Sequence, residues 1–395
     1  MKVQAVIGAN YGDEGKGHIV DYLSGPDMLV VRHNGGAQAG HTVVTPDGRR
    51  HVFHHFGSGS LRSAKTFLSR FFLVNPIVYI DELVELQQVV PRPPVVYVDP
   101  RAMVTTPYDM MLNRSAEEER AASRHGSCGM GINETVHRCT EHKAFALHVL
   151  DLLRPDLLET RLSRIRDEYV PLRKAQLRLS KLPQALRSKA VFEEFLVSCD
   201  VFRRQVLVEE WGKSSILARY EHRVFEGAQG LRLDEVLGRF PHVTRSRTGI
   251  TNVLTMMKEA MITDPLDVWY VTRPYITRHG AGPLKFEMVE PPIPHLFKDE
   301  TNVPNPYQGT LRFGAMDYDE MLEPIYKDLE QGLRSGLRVR PHLAVTCVDH
   351  MDDAKAGNWA VHEVSKRLYL HGRIICDGPT RENCFEETYD AEEAA

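Results

Sequence analysis

KVQAVIGANYGDEGKGHIVDYLS, residues 2–24, passes from an apolar run through a turn crowded with glycines, two carboxylates and a lysine into a helical pattern. The run KVQAVIG reads as a short buried strand, IVDYLS as the body of a helix, and DMLVVRHN (27–34) as a second buried strand. Strand, turn, helix, strand is the opening of an α/β fold with a central, mostly parallel sheet. Later apolar runs at HRVFEGA (222–228), DVWYVTRPYIT (267–277) and PHLAVTCVD (341–349) read as further strands of that sheet. Each has a Gly or Asp near its C-terminal end, where open α/β sheets form their ligand crevices.

The 395 residues suffice for one large domain, and the reading is a single domain over 1–395. Residues 140–222 differ from the rest: they carry helical periodicity, many Arg and Glu and few glycines, and read as a helical insertion within it. PRPPVVYVDP (91–100) and VEPPIPHLF (289–297) read as surface loops or sheet edges, and the acidic tail ETYDAEEAA as a frayed end.

A formal net charge of −4 and a pI near 6.5 give no basic footprint for nucleic acid or an anionic membrane. Any polyphosphate must be met locally. Six scattered cysteines with no CxxC spacing speak against a zinc ribbon or a disulfide scaffold and for reduced thiols. No signal-like segment opens the chain and no window of about 18 apolar residues occurs, so the expectation is a cytoplasmic protein, in a host cytoplasm if phage-encoded.

A strand followed by GDEGKG and a helix aims backbone N–H groups and a helix N-terminus at one point, which is how proteins hold phosphate. Lys16 adds a full positive charge. The segment is neither a Walker A loop, since Asn10 and Gly17 stand where Gly and Ser/Thr belong, nor G-x-G-x-x-G. Asp13 and Glu14 would repel an anion unless a cation or a proton transfer explains them: Mg²⁺ shared with phosphates, or a general base. HNGGAQAGHTVV (33–44), a second glycine-rich turn at a neighbouring strand end, puts His41 beside the same point.

Together these segments resemble the adenylosuccinate synthetase family, ligases that attach L-aspartate to C6 of a 6-oxopurine nucleotide at the expense of a nucleoside triphosphate. The likeness recurs in order at GGAQAGHT (35–42), GSCGMGI (126–132), FEGAQGLRLD (225–234), PHVTRSRTG (241–249), TRHGAGPLKFE (277–287), LRFGAMD (311–317), TCVD (346–349) and DGPTR (377–381), and only loosely in 140–222. It implies that family's P-loop-NTPase-like fold and Mg²⁺ as cofactor. It further implies a reaction in which a γ-phosphoryl moves onto O6 and the aspartate amine then displaces phosphate.

The resemblance also implies roles. Asp13 takes the N1 proton and, with Gly40, ligates the metal; Lys16 holds the transferring phosphoryl; His41 stabilises charge on the departing β-phosphate. Gly12, Glu14, Gly15, Gly17, Gly40 and Thr42 surround the triphosphate, Asp349 meets its base, and Gly378 with Pro379 the flat face of that base. Gln38, Ser127, Cys128, Gln229 and Thr244 join Asp13 around the purine monophosphate. Gly309, Thr310 and Arg312 face aspartate, with Arg312 also touching the triphosphate. Arg138, in ETVHR, matches an arginine given across a twofold interface to the neighbour's nucleotide phosphate, which implies a homodimer.

Departures from the pattern narrow the acceptor. Thr310 stands where an arginine reaching the ribose hydroxyl region is expected, which weakens the case for a ribonucleotide. Cys128 and Met130 replace a Thr and an Arg of the phosphate loop. TCVD lacks the lysine stem that packs on a guanine donor, so ATP or dATP becomes credible beside GTP. These departures resemble the phage branch that makes N6-succino-2-amino-2′-deoxyadenylate from dGMP. Asp13 is kept, and a carboxylate can accept from N1–H and the 2-amino group together. The expectation is dGMP as acceptor, with IMP as the alternative. A non-catalytic nucleotide binder would be expected to have lost Asp13 or His41, and both are present.

Overall fold

The computed structural model describes residues 1–121, 126–292, 309–351 and 355–389. The first strand, β1 (Lys2–Gly8), leads through the glycine-rich turn into helix α1 (Lys16–Leu23) and then β2 (Met28–Arg32). All six residues from Val3 to Gly8 are buried. That is what a strand in the middle of a sheet covered on both faces requires.

Ten strands form the main sheet, in the spatial order Cys384–Thr388, Gly372–Cys376, Val339–Val345, Leu266–Thr272, β1, His222–Gly230, β2, Lys65–Leu68, Val96–Val98, Leu207–Val208. Every neighbouring pair is parallel except the hairpin of the first two. β1 lies between His222–Gly230 and Leu266–Thr272, pairing Val3 with both Arg223 and Leu266. The C-terminal ends of these strands therefore deliver residues 9–15, 33–40, 229–230 and 273 to one edge of the sheet. This is the crevice expected of an open α/β sheet.

The run 267–277 does not continue as one strand. Leu266–Thr272 belongs to the main sheet, whereas Tyr275–Arg278 pairs with Arg312–Ala315 in a separate three-stranded sheet. Pro274, without an N–H to give a ladder, stands at the break. PRPPVVYVDP is likewise only half a loop. Its prolines are largely exposed, but Val96–Val98 is a buried strand one place in from the sheet edge, because Leu207–Val208 covers its outer side.

Apolar residues divide into two large clusters. One packs the helices Thr251–Glu259, Tyr318–Ser335 and Ala356–Ser365 against the central strands. The other gathers Pro76–Leu86 and Pro107–Arg120 with the helices of the 140–222 stretch, chiefly Pro155–Arg164, Val170–Leu177 and Lys189–Gln205. Phe192, Phe195, Cys199 and Phe202, at spacings of three and four, put one face of the last helix into that core. Tyr79 meets Phe202 edge-on with centroids 4.8 Å apart. Each such aromatic contributes roughly 2 to 3 kcal/mol by burial alone.

Cys376 and Cys384, directly opposite each other in the hairpin, form a disulfide, whereas Cys128, Cys139, Cys199 and Cys347 are free. The expectation of six reduced thiols is therefore corrected: the antiparallel register brings two cysteines eight residues apart into contact. No helix among the described residues is long and apolar enough to cross a membrane. Most of VEPPIPHLF and the tail beyond residue 389 lie outside the described residues.

Candidate active site

The turn after β1 is braced from inside by Glu14. Its carboxylate accepts from the backbone N–H of Asn10 (3.1 Å) and Gly12 (2.8 Å) and from Lys16 Nζ (2.6 Å), and it is only 2% exposed. The sequence reading put Glu14 on the triphosphate. In the structure its carboxylate accepts three bonds from within the loop, where it positions Lys16. An ammonium has three donors, so Lys16 keeps two for a phosphate while Glu14 holds it from behind. Gly15, at φ 85°, takes the left-handed conformation that starts α1, and no side chain caps the helix. The first N–H groups of α1 are thus left for a ligand.

Asp13 emerges from this turn about a quarter exposed, with its Oδ2 3.0 Å from His279 Nε2. Burial would raise its carboxyl. The hydrogen bond and charge of His279, with Arg273 and Lys16 nearby, outweigh burial and hold it below the usual carboxylate value. Asp13 also has φ 61°, and Gln229 has φ 59°. Two non-glycine residues in the left-handed region on facing turns are the kind of local cost a functional site carries.

His41 begins the strand His41–Val44 and is 7% exposed. Its Nδ1 lies 2.5 Å from Glu226 Oε1. Glu226, fully buried, also accepts from the Ser58 backbone N–H (3.0 Å) and hydroxyl, with Arg32 Nη1 3.9 Å away. Burial opposes its ionisation, but Arg32 and the bonds from His41 and Ser58 bring the carboxyl down to about 2. Burial lowers the His41 imidazole below its ordinary value despite Glu226. The neutral ring therefore gives Nδ1–H to the carboxylate and turns Nε2 outward, an assignment fixed by the acceptor on its other side.

Beside these groups opens a cleft of about 550 Å³ lined by, among others, Gln38, Ser127, Cys128, Gln229, Thr244 and His279. Both amide atoms of Gln38 and the Oε1 of Gln229 are buried without a protein hydrogen-bond partner. The two amides are neighbours: a Cβ built on Gly35 would lie 3.6 Å from Gln38 Nε2 and 3.9 Å from Gln229 Oε1. Buried orphan amides are rare in folded proteins and mark a place where a polar ligand completes the bonding. Burial raises the Cys128 thiol, so it meets the cleft as a neutral group. Asn113 Oδ1 ties the 126–132 loop down by accepting from the Ser127 hydroxyl (2.8 Å) and the Gly131 N–H (3.2 Å).

A second group lies on the other side of the GDEGKG turn. Thr346 donates to the Glu14 carbonyl at 2.7 Å, which fastens the TCVD segment to the turn. Asp349 is exposed at its end. The 377–383 loop, with Gly378 and Pro379, is seated on α1 through Arg381 to Asp21 (3.1 Å) and through Cys384 against His18 (3.2 Å).

Two further residues named by the resemblance are paired within the chain. Arg138 is completely buried. It grips Asp109 with Nε (2.9 Å) and Nη2 (2.7 Å) and donates to the carbonyls of Phe145 and Val104. Reaching a neighbouring protomer would strip a buried carboxylate of its partner, so Arg138 is a structural tie and the support it gave to a homodimer falls away. Arg312 is occupied by a bidentate pair with Glu287 at 2.7 and 2.6 Å. Gly309 and Thr310 are exposed, next to residues outside those described. Sequence reasoning also missed Glu226 and His279, although both lie inside quoted segments; only the fold shows that they face His41 and Asp13.

The chain matches the adenylosuccinate synthetase family over residues 5–318. It belongs to that family. It is 33% identical over 287 residues to the adenylosuccinate synthetase of Microcystis aeruginosa, and 31% identical over 290 residues to that of Acidithiobacillus ferrooxidans. The match covers 72% of this chain in both cases, and 62% and 65% of the two relatives. The chain thus spans less than two thirds of the length of the relatives it matches.

Among solved structures, the fully ligated adenylosuccinate synthetase from Plasmodium falciparum superposes with a TM-score of 0.73, covering 98% of this chain and all of the other at 16% identity. The succinoaminodeoxyadenylate synthetase (PurZ) of cyanophage S-2L, bound to dGMP and to dATP as an energy donor, gives 0.61 over 97% of this chain and 95% of the other, also at 16%. At that identity both likenesses establish the adenylosuccinate synthetase fold and no more.

Proposed function

We propose that the chain is a nucleoside-triphosphate-dependent ligase that joins L-aspartate to C6 of a 6-oxopurine monophosphate, with dGMP as acceptor and ATP or dATP as donor. The observation that carries this reading is the pair of orphaned amides, Gln38 and Gln229, in one cleft with His279, which holds an ionised Asp13 at 3.0 Å. A purine edge with its 6-oxo group and N1–H supplies the partners those groups lack. Asp13 accepts the N1 proton, which leaves O6 with the electron density to attack a γ-phosphoryl. Lys16 and the N-terminus of α1 hold the phosphoryl in transit. Negative charge arriving near His41 favours its imidazolium, which Glu226 stabilises from behind, and Nε2–H then donates to the departing phosphate. The amine of aspartate displaces phosphate from C6 in the second step.

Mg²⁺ fits the donors present. Asp13 offers an ionised hard-oxygen carboxylate beside the cleft, and Asp13 and Gly40 are the residues that would hold the ion. It supplies charge neutralisation on the phosphates.

The dGMP reading is supported by Thr310 in place of a ribose-side arginine and by the fold shared with a phage enzyme bound to dGMP and dATP. The second reading, IMP with GTP, is favoured by the 33% identity to bacterial adenylosuccinate synthetases. Incubation with aspartate, Mg²⁺, ATP or GTP, and each monophosphate separately decides between them. A succinylated product from dGMP is expected; product from IMP alone overturns the first reading in favour of the second.

A further inference from the structure

A nucleotide seated on Gln38 and Gln229 brings a phosphate of nearly two negative charges into the cleft, and a cation must meet it. Arg138 cannot, being buried on Asp109. Among the described residues three arginines line the cleft: Arg120, Arg245 and Arg278. Arg120 is paired with Glu117, a fully buried carboxylate that also accepts from the N–H groups of Gly126 and Ser127. That pairing with a fully buried carboxylate holds Arg120 in place. Arg278 is 3% exposed, gives its fork to the carbonyls of Pro283 and Ala281, and lies 4.2 Å over the Tyr11 ring.

Arg245 is held differently. It follows Thr244, its side chain is 34% exposed, and its carboxylate partner, Glu141 at the end of the helix Ile132–Glu141, is 49% exposed. An ion pair this open to water is worth little, and either member can leave it for a better partner. A phosphate dianion is such a partner, because the guanidinium fork gives it two parallel charge-assisted hydrogen bonds. The other carboxylates of the cleft do not oppose this. Glu134 is matched by a bidentate pair with Arg173 at 2.6 and 3.1 Å, and Glu235, whose carboxyl burial and Asp234 raise, has Arg247 near it as well as Arg245.

We propose that Arg245 is the phosphate anchor of the acceptor site: it exchanges Glu141 for the 5′-phosphate of the purine monophosphate, so the cleft binds its nucleotide with a cation from its own chain. This rests on the reading of the cleft as the acceptor site. It concerns a residue to which neither the sequence reading nor the resemblance gave a role.

Calorimetric titration of the full-length protein with dGMP and with IMP, in the absence of donor, tests it. Arg245→Met is expected to weaken the binding of the monophosphate that wild type binds about tenfold to a hundredfold and to flatten its salt dependence. In steady state it should leave the donor KM within about twofold of wild type. Glu141→Gln removes the competitor and is expected to tighten monophosphate binding about twofold to threefold. It also reads the exchange independently should Arg245→Met fold poorly. Undiminished binding by Arg245→Met, or Glu141→Gln binding that is unchanged or weaker, overturns the proposal. A wild-type protein that binds neither monophosphate fails the acceptor-site reading itself, a result distinct from either.

Discussion

Glu226 fixes the working form of His41: Oε1 accepts a hydrogen bond from Nδ1–H at 2.5 Å while the same carboxylate is held by Ser58 and balanced by Arg32. The residues are 185 apart in sequence and meet because β2 and the strand His222–Gly230 are adjacent. Glu226→Gln keeps the shape, removes the charge that stabilises an imidazolium, and offers an amide N–H that selects the wrong tautomer. Phosphate release dependent on donor, acceptor and aspartate should fall about a hundredfold to a thousandfold in kcat, with the acceptor KM changed little. A matching loss in KM would place Glu226 in binding instead.

The Glu14–Lys16 pair gives a stability prediction. Both side chains are about 3% exposed, and Glu14 also satisfies two backbone N–H groups. Glu14→Ala leaves an ammonium and two amides without partners at once, and should cost about 3 to 5 kcal/mol in urea unfolding. The double change Glu14→Gln with Lys16→Met removes the charges together and should cost less than Glu14→Ala while abolishing turnover. If the double variant is the less stable of the two, the brace is not held by this pair.

How much of this was legible in the chain depends on the range of the contact. β1, the turn, α1 and β2 follow from apolar runs and glycines within residues 2–34, because local period and turn chemistry decide them. The GDEGKG and GGAQAGHT turns touch at Gly17 and His41, although the strands that lead into them are not neighbours: His222–Gly230 lies between β1 and β2. The inward direction of Glu14 is not legible in the chain, because a carboxylate beside a phosphate turn points outward or inward by a rotation that sequence does not record. Arg138 was misread because its partner, Asp109, lies on a separate helix 29 residues earlier and is brought to it only by the packing of Pro107–Arg120 on Ile132–Glu141. The pairs His41–Glu226 and Asp13–His279 were unreadable for the same reason at still longer separation.

The Cys376–Cys384 disulfide closes the base of the 377–383 loop, whose interior is tied by Asn383 accepting from the Thr380 N–H (3.1 Å) and hydroxyl (2.9 Å). Cross-linking so short a loop stabilises by about 2 to 3 kcal/mol in the chain-entropy account. Reduction, or Cys384→Ser, should lower the Tm and raise the KM of the triphosphate donor, since Gly378 and Pro379 lie within the loop. Acceptor affinity should not change, because the cleft at Gln38 and Gln229 shares no residue with it. Thermal melts and donor titrations with and without reductant check both parts. An acceptor affinity that moves with the reductant would contradict the separation of the two sites.

Asp328 makes stability depend on pH in an unusual direction. It sits fully buried on the helix Tyr318–Ser335, where Oδ1 accepts from the Ile250 N–H at 2.9 Å and Oδ2 from the Tyr270 hydroxyl at 3.0 Å. Burial raises its carboxyl to about 7, with the neighbouring charge of Asp234 adding to the shift and the two hydrogen bonds offsetting only part of it. In the unfolded chain the same group titrates near its ordinary value of about 3.9. The native state therefore binds the proton more tightly. Its contribution to stability is complete below about pH 4 and is lost as pH rises through about 7, a loss on the order of 4 kcal/mol. Glu82 and Glu226, both lowered to about 2, titrate below this window, while the buried His33, His41 and His55, all lowered, act in the opposite direction near the ordinary histidine value. The informative quantity is accordingly a difference between two proteins. Asp328→Asn keeps an oxygen for the Ile250 N–H and cannot ionise, so urea unfolding should show its stability relative to wild type improving by about 2 to 3 kcal/mol between pH 5 and pH 8. A difference that stays constant over that range would mean that Asp328 is ionised in the native protein throughout.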